Sequence, residues 1–145
     1  MPIRCEIVSQ DRMVFEGDVD IVVLPGMEGE MGVLPLHAPL LTTLKFGLIK
    51  VRIKNEEQVF TVAGGVAEIQ PKIVTILADA AENVQEIDTT RAEAARKRAE
   101  EALANVQPED ADAYLALESA LRRSNLRLEA AKRYRSSKRS PYTEE

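Results

Sequence analysis

The hydrophobic pattern of this chain changes its period once, near Asp88. In residues 48–54, Ile49, Val51 and Ile53 alternate with basic residues, which is the two-residue period of a half-buried strand. After Asp88 the small apolar residues recur at spacings of three and four, which is the period of an amphipathic helix. The sequence therefore predicts a β domain over residues 1–84 and a helical arm over residues 85–145, the division of a small adaptor.

The first half is expected to be an all-β sandwich of short antiparallel strands. Residues 48–54 and 59–62 flank a polar link, and residues 66–69 and 73–77 flank Gln70-Pro71-Lys72, so each pair predicts a hairpin. Residues 3–9 and 20–24 are further candidate strands. Strands with turn signals this closely spaced, uninterrupted by a helical pattern, are typical of a sandwich or flattened barrel.

The glycines of this half do not form a phosphate-binding loop. Residues 26–32 read G-x-x-G-x-x-G and run into Val33-Leu34-Pro35, whereas a dinucleotide loop needs G-x-G-x-x-G opening a helix. We expect these glycines, and the pair Gly64-Gly65, to occupy turns that need a positive φ.

No catalytic or metal-binding set emerges from the sequence. His37 has no Ser, Cys or paired Asp at a spacing that would suggest a triad. The lone Cys5 cannot form an internal disulfide, and with a single histidine it cannot supply a structural metal site. We predict a non-enzyme with no required cofactor.

The second half predicts an antiparallel helical hairpin. The first helix starts at either of two signals, Asp88 as N-cap or the T-x-x-E capping box at residues 90–93, and stops at residues 105–108, which end in Pro108. Asp110 or Asp112 caps the second helix. The predicted seam consists of Ala92, Ala95, Ala99, Ala102 and Val106 on the first helix and Leu117, Leu121, Ser124, Leu128 and Ala131 on the second.

An alanine seam of this kind buries little area. At about 0.8 kcal/mol per buried methylene group, it cannot offset the ordering entropy of the arm without further contacts. The arm is therefore expected to dock elsewhere and to be able to leave, as a conformational switch does.

The second helix is strongly basic in a chain of formal net charge -5. Eight basic residues against one acid, Glu129, lie between residues 122 and 139: Arg122, Arg123, Arg127, Lys132, Arg133, Arg135, Lys138 and Arg139. The arm has only tyrosines as aromatics, so it lacks the stacking platform of a single-strand nucleic-acid binder and the apolar wedge of a membrane-surface helix. Two interpretations stay open: a solvated helix face, or contact with an acidic protein surface.

The composition excludes a membrane-spanning segment. The longest apolar runs fall far short of the roughly 20 residues that a bilayer span needs, so no direct membrane insertion is expected. The N-terminus lacks the apolar segment and cleavage site of an export signal, which favours the cytoplasm.

The sequence resembles the epsilon subunit of the F-type ATP synthase family, called delta in mitochondria. Residues 29–41 are similar to the family's G-E-x-G-x-x-P-x-H-A-P-L-L stretch, residues 64–69 resemble its G-G-x-x-E-V element, and residues 74–78 resemble its closing strand. The resemblance implies a β-sandwich of about ten strands that binds the gamma subunit and the c-ring, the latter through Glu30 and His37. It also implies a peripheral position on the cytoplasmic face of the inner membrane.

The resemblance further implies an arm that folds down or extends toward the catalytic alpha/beta hexamer, where it restrains ATP hydrolysis in a proton-translocating synthase. Its acidic contact would involve Arg122, Arg123, Arg127, Lys132, Arg133 and Arg135. Some members bind ATP as a regulatory ligand through an I/L-D-x-x-R-A motif, which residues 87–92 match in full. The implied ATP contacts are Glu82, Asp88, Arg91, Ala92, Arg98, Arg123 and Arg127.

Two alternatives remain at this point. Asp88 could serve only as a helix cap, with the arginines facing solvent. The whole chain could instead be a stand-alone nucleotide-sensing module whose hairpin closes on its ligand.

Overall fold

The chain forms two units, of which the first is Met1–Asn83 and the second begins at Val84. The structure, a computed structural model, describes residues 1–107 and 109–136. The first unit contains the strands β1 (Ile3–Val8), β2 (Met13–Val19), β3 (Ile21–Gly26), β4 (Gly29–Val33), β5 (Leu40–Ile53), β6 (Glu56–Ile69), β7 (Ile73–Ala78) and β8 (Ala81–Asn83). The described part of the second contains a 3-10 turn (Val84–Glu86) and the helices α1 (Thr89–Asn105) and α2 (Ala111–Ser136).

Hydrogen bonds join the strands in the order β2-β1-β7-β6-β5-β3-β4, with β8 paired to β6. Every neighbouring pair is antiparallel except β1 and β7, which run parallel. Although β1 and β7 separate β2 from β6 in this order, the rings of Phe15 in β2 and Phe60 in β6 lie 5.5 Å apart between centroids. The sheet therefore folds over on itself, and the predicted all-β sandwich is confirmed.

The strand count is eight rather than about ten, because β5 and β6 are each 14 residues long. The segments 59–62 and 66–69, expected as separate strands, are parts of β6. Gly64 and Gly65, with φ of 88° and 140°, bend this strand without reversing it. Its first half pairs with β8 and its second half with β7, so one strand serves both layers. The two predicted hairpins, β5–β6 and β6–β7, are confirmed.

The glycine prediction holds at some positions and is wrong at others. Gly29 has a φ of 141° at the end of the β3–β4 turn, as expected. Gly26 and Gly32 lie within strands and have no positive φ. Gly64 and Gly65 do have positive φ, but in the middle of a strand rather than in a turn.

The core lies between the two layers. Alternate residues of β1, Ile3, Cys5 and Ile7, are fully buried, as the two-residue period of a strand requires. Burial also raises the pKa of the Cys5 thiol to about 12. The other fully buried side chains of this core are Val19, Val22, Leu24, Val33, Ile49, Val51, Phe60, Val62, Ala67, Ile69, Val74 and Ile76.

Capping side chains fix the helix boundaries of the second unit. The Asp88 carboxylate accepts a hydrogen bond from the Arg91 amide at 3.0 Å, so Asp88 is the N-cap and Thr90 lies inside α1. The Asp110 carboxylate likewise accepts from the Ala113 amide at 3.1 Å, which selects Asp110 over Asp112. The first helix ends at Asn105, as predicted, while Pro108 lies outside the described residues.

The two helices form the predicted hairpin. In the last turn of α2, the Arg135 guanidinium donates to the backbone carbonyl of Gln85 at 3.0 Å and to that of Ile87, just before α1 starts. The end of α2 therefore lies beside the start of α1, so the helices are antiparallel. The seam positions Ala92, Ala99, Ser124 and Ala131 are buried, and the seam leucines of α2 are half-buried. No helix in the described ranges is long and apolar enough to cross a bilayer.

Candidate functional site

The end of the sandwich that carries Glu30 and His37 exposes an unusual number of apolar side chains. Glu30 is exposed on β4, and His37 is half-buried in the loop between β4 and β5. Five large apolar residues in the same turns and strand starts are between 43% and 70% exposed: Met27, Leu34, Leu36, Leu40 and Leu41. We call these five residues the apolar end of the sandwich. The sequence prediction included the acid and the histidine but missed the apolar residues around them.

Backbone hydrogen bonds hold the loops of the apolar end together. The Leu36 amide donates to the Pro71 carbonyl at 2.8 Å, which ties the β4–β5 loop to the β6–β7 turn, and Leu36 itself has a positive φ of 66°. The Met27 amide donates to the Thr43 carbonyl at 3.1 Å, which ties the β3–β4 turn to β5. These two bonds join four separate segments of the chain at this surface.

A cleft of about 630 Å³ opens in this surface, lined by Met27, Glu30, Leu40 and Leu41 among others. Nδ1 of His37 lies 2.7 Å from the Ala38 carbonyl, so that nitrogen carries the proton and the ring is held in place. The cleft offers apolar side chains beside the Glu30 carboxylate, and the His37 imidazole lies in the β4–β5 loop that leads to Leu40. Contiguous exposed apolar residues rimmed by polar groups are typical of a protein interaction site.

A second candidate site follows the I-D-x-x-R-A motif along the hairpin. On α1, Arg91 and Arg98 are exposed, and each immediately precedes a buried alanine of the seam, Ala92 or Ala99. On α2, Arg123 is exposed and immediately precedes the buried Ser124. Successive helical residues are turned by about 100°, so in an antiparallel pair the residues just before the seam point to the same side of the hairpin.

Arg127 follows Arg123 by four residues and therefore lies on the same side of α2. The hydrogen bonds of Arg135 place the end of α2 beside the start of α1. Counted along the two antiparallel helices from that point, Arg91 lies within about one helical turn of Arg127. Arg98 likewise lies within about one turn of Arg123. The hairpin thus carries two cations from each helix along one side. Such an arrangement suits an extended anion with several phosphate groups.

Arg96, a further cation of α1, is already paired. Its guanidinium forms salt bridges with Glu93 and, at 3.1 Å, with Glu100. The hydrogen bond from Arg96 holds the pKa of Glu93 below its usual value. These salt bridges are made by Arg96. They do not involve Arg91 or Arg98, the two arginines selected by the motif and by heptad spacing.

The acids predicted for the same site have separate roles in the structure. The Asp88 carboxylate accepts from the Arg91 amide, so one of its oxygens serves the helix cap. Glu82 is half-buried on β8 of the first unit, whereas the arginines belong to the second. Across the described ranges, no cluster of three or more His, Cys, Asp or Glu side chains could hold a metal ion.

The predicted acidic-surface contacts lie on the outer face and last turns of α2. Arg122, Lys132 and Arg133 are exposed, and the Arg133 guanidinium lies 5.4 Å from the centroid of the Tyr134 ring. Lys138 and Arg139, which complete the basic block, lie outside the described residues. Arg135 differs from the others because its guanidinium contacts backbone carbonyls of its own unit. Sequence patterns gave no signal for this bond, which spans about 50 residues.

Comparison with known families matches the two units separately. The family model described as the ATP synthase delta/epsilon chain β-sandwich domain matches residues 2–84. The model of the long α-helix domain of the same chains matches residues 85–132.

Individual relatives agree with the family models. The chain is 44% identical over 139 residues to an ATP synthase epsilon chain of Dehalococcoides mccartyi, covering 92% of this chain and 94% of the relative. It is 52% identical over 101 residues to one of Pelotomaculum thermopropionicum, covering 70% and 75%. A chain in the structure of the Euglena gracilis mitochondrial ATP synthase, OSCP/F1/c-ring, superposes with a TM-score of 0.72 at 26% identity, covering 90% of this chain and 81% of that one.

Proposed function

Because the chain belongs to the ATP synthase delta/epsilon family, we propose that it works as a coupling and regulatory subunit of a rotary, proton-translocating ATP synthase. Epsilon chains are non-catalytic stalk subunits, so the chain is not an enzyme by itself. In this proposal the sandwich binds the gamma subunit and the c-ring, and the arm restrains ATP hydrolysis at the alpha/beta hexamer. The subunit is then peripheral to the cytoplasmic face of the inner membrane.

The observation that carries this proposal is the contrast between the two units. The sandwich has a continuous buried core and an exposed apolar end that suits a permanent partner. On α1 only Ala92 and Ala99 are buried, which is little area to hold a helix in one place. Coupling requires a unit that stays bound to its partners, which the sandwich can provide. Regulation requires a unit that can move, which the arm can provide. Family membership favours this assembly over a stand-alone nucleotide-sensing module.

The c-ring contact is proposed for the apolar end, with Glu30 and His37 as its polar members. A hydrophobic centre with few polar groups, held in shape by its own backbone bonds, is typical of lasting interfaces. The acidic surface of the hexamer is proposed as the partner of the basic residues of α2, chiefly by charge complementarity.

The test of this division removes the arm. A chain ending at Glu86 keeps the whole sandwich. In the assembled synthase we expect it to retain gamma binding while the rate of ATP hydrolysis rises. Loss of gamma binding would contradict the assignment of partners to the two units, and an unchanged hydrolysis rate would contradict the regulatory role of the arm.

We also propose that the closed hairpin binds ATP as a regulatory ligand. The support is the single-sided arrangement of Arg91, Arg98, Arg123 and Arg127. Each charge-assisted hydrogen bond to a phosphate contributes about 1.5 to 3 kcal/mol, so the loss of one or two moves a micromolar affinity toward millimolar. Asp88 acts as the cap that orients the first turn.

Titration calorimetry with ATP on the full chain tests this site. Arg91→Ala and Arg123→Ala should each weaken binding by at least about tenfold. Lys97→Ala is the matched control, because Lys97 is an exposed cation of the same helix that lies one residue further from the seam than Arg98. No heat from the wild-type chain at millimolar ATP, or equal losses in all three variants, would remove the proposal.

A further inference from the structure

The last turn of α2 is bonded to the segment that leads into α1. The Arg135 guanidinium donates from one nitrogen, Nη2, to two backbone carbonyls, that of Gln85 at 3.0 Å and that of Ile87. All three residues belong to the second unit. The bond therefore closes a loop of about 50 residues that contains both helices of the hairpin.

The two carbonyls lie outside the hydrogen-bond ladder of α1. The first ladder acceptor is the Asp88 carbonyl, which receives the Ala92 amide at 2.9 Å. Gln85 and Ile87 precede this residue, so their carbonyls depend on donors from elsewhere. Ile87 is buried, with 2% of its surface exposed, and an unsatisfied carbonyl there would cost free energy. Arg135 supplies the donor.

Packing agrees with this role. The two α2 residues one turn before Arg135, Ala130 and Ala131, are buried, and α2 contacts the 3-10 turn at Val84–Glu86. A cation in the last turn of a helix is also favoured by the helix dipole. Three favourable features therefore occur together where Arg135 meets Gln85 and Ile87: buried seam residues, hydrogen-bonded carbonyls and a cation at the end of a helix.

We propose that Arg135 is a latch that holds the hairpin closed and positions the start of α1. While it is bonded to Gln85 and Ile87, its guanidinium has its Nη2 hydrogens committed and is less available to the acidic surface proposed above for the arm. Opening of the hairpin releases that guanidinium and exposes the two carbonyls together. The latch itself is independent of the proposed function, and only the exchange of partners on opening rests on it.

The variant that tests the latch is Arg135→Met, which removes every donor but keeps an unbranched apolar stem. Arg133→Met is the matched control, because it removes the same charge from the same helical turn, where the Arg133 guanidinium lies 5.4 Å from the centroid of the Tyr134 ring. Arg135→Lys keeps the charge and can reach one carbonyl, so it is expected to fall between the two. The full-length chain is used without nucleotide or other subunits, so the outcome does not depend on ATP binding or assembly.

Hydrogen exchange of the backbone amides, followed by mass spectrometry, is the measurement. In Arg135→Met we expect exchange about tenfold faster both in the last turn of α2 and in the first turn of α1, the loss expected for one or two net hydrogen bonds. In Arg133→Met the first turn of α1 should exchange at the wild-type rate. Acceleration confined to α2, or equal acceleration in both variants, would overturn the latch.

A distance measurement covers the case in which Arg135→Met unfolds the arm. Spin labels at Thr90 and Lys132, both exposed, report on the separation of the two helix ends. In Arg135→Lys the distance distribution should broaden toward longer values relative to the wild type. A distribution identical to the wild type in a folded Arg135→Lys chain with unchanged exchange would also overturn the proposal.

Discussion

Gly65 is the position at which one added methyl group should damage the β-sandwich most. It has a φ of 140°, and a Cβ built there would lie 2.3 Å from the Leu77 carbonyl oxygen and 2.9 Å from the Ala78 Cα. Both atoms belong to the backbone of β7, so they cannot rotate away, and β6 and β7 must separate. The strained φ costs about 1 to 3 kcal/mol and the overpacking about as much again, so Gly65→Ala should lower the free energy of unfolding by about 2 to 6 kcal/mol.

Gly29 provides a matched control for the backbone angle. Its φ is 141°, but a Cβ there would meet no atom within 4 Å. Gly29→Ala therefore isolates the cost of the angle, about 1 to 3 kcal/mol. Urea unfolding followed by far-ultraviolet circular dichroism measures both variants. Tyrosine fluorescence reports on the arm separately, because Tyr114, Tyr134 and Tyr142 all lie in residues 85–145 and the chain has no tryptophan. Equal losses in the two variants would refute the proposed clash with β7.

Two further predictions concern single side chains. Asp88→Ala should destabilise α1 by about 1 kcal/mol through loss of its cap, whereas Asp88→Asn should retain most of it; thermal melting at 222 nm measures both, and equal losses would contradict the capping role. Burial raises the pKa of the Cys5 thiol from 9.0 to about 12, so the folded state favours the neutral thiol. The contribution of this thiol to the free energy of unfolding therefore falls as the pH rises from 9 to 12. Relative to Cys5→Val, the wild type should lose about 1.4 kcal/mol per pH unit in that window, measured by urea unfolding, and parallel curves would contradict it.

Sequence patterns predicted those parts of the fold that depend on residues close together in the chain. The alternation at Ile49, Val51 and Ile53 predicted one face of β5, and the change of period near Asp88 predicted the helices. The start of β5 escaped prediction because Leu40 and Leu41 are both exposed, so no alternation marks it. The parallel pairing of β1 with β7 joins residues about 70 positions apart, and no short-range signal encodes it.

The candidate sites divide in the same way. The arginines of the hairpin could be selected from the motif, from the heptad spacing of Arg91 and Arg98 and from the four-residue spacing of Arg123 and Arg127, because both residues of each pair lie on one helix. The apolar end could not, since the exposure of Leu34 and Leu36 depends on how the β4–β5 loop is tied to Pro71. Arg135 carried only the signal of a basic helix end, which is equally consistent with a solvated charge.

The energetics of the second unit explain why polar contacts can control it. An alanine contributes a single methyl group to a seam, worth roughly 0.8 kcal/mol, so the buried Ala92 and Ala99 contribute little to holding α1 closed. Moving a two-state equilibrium from 1:99 to 99:1 needs about 5.5 kcal/mol of differential binding. If the hairpin binds ATP as proposed, two or three charge-assisted bonds from its arginines to phosphate would reach that value, and the proposed Arg135 latch would add to the same side. A seam of leucines would exceed it, and neither a ligand nor a partner surface could then open or close the arm.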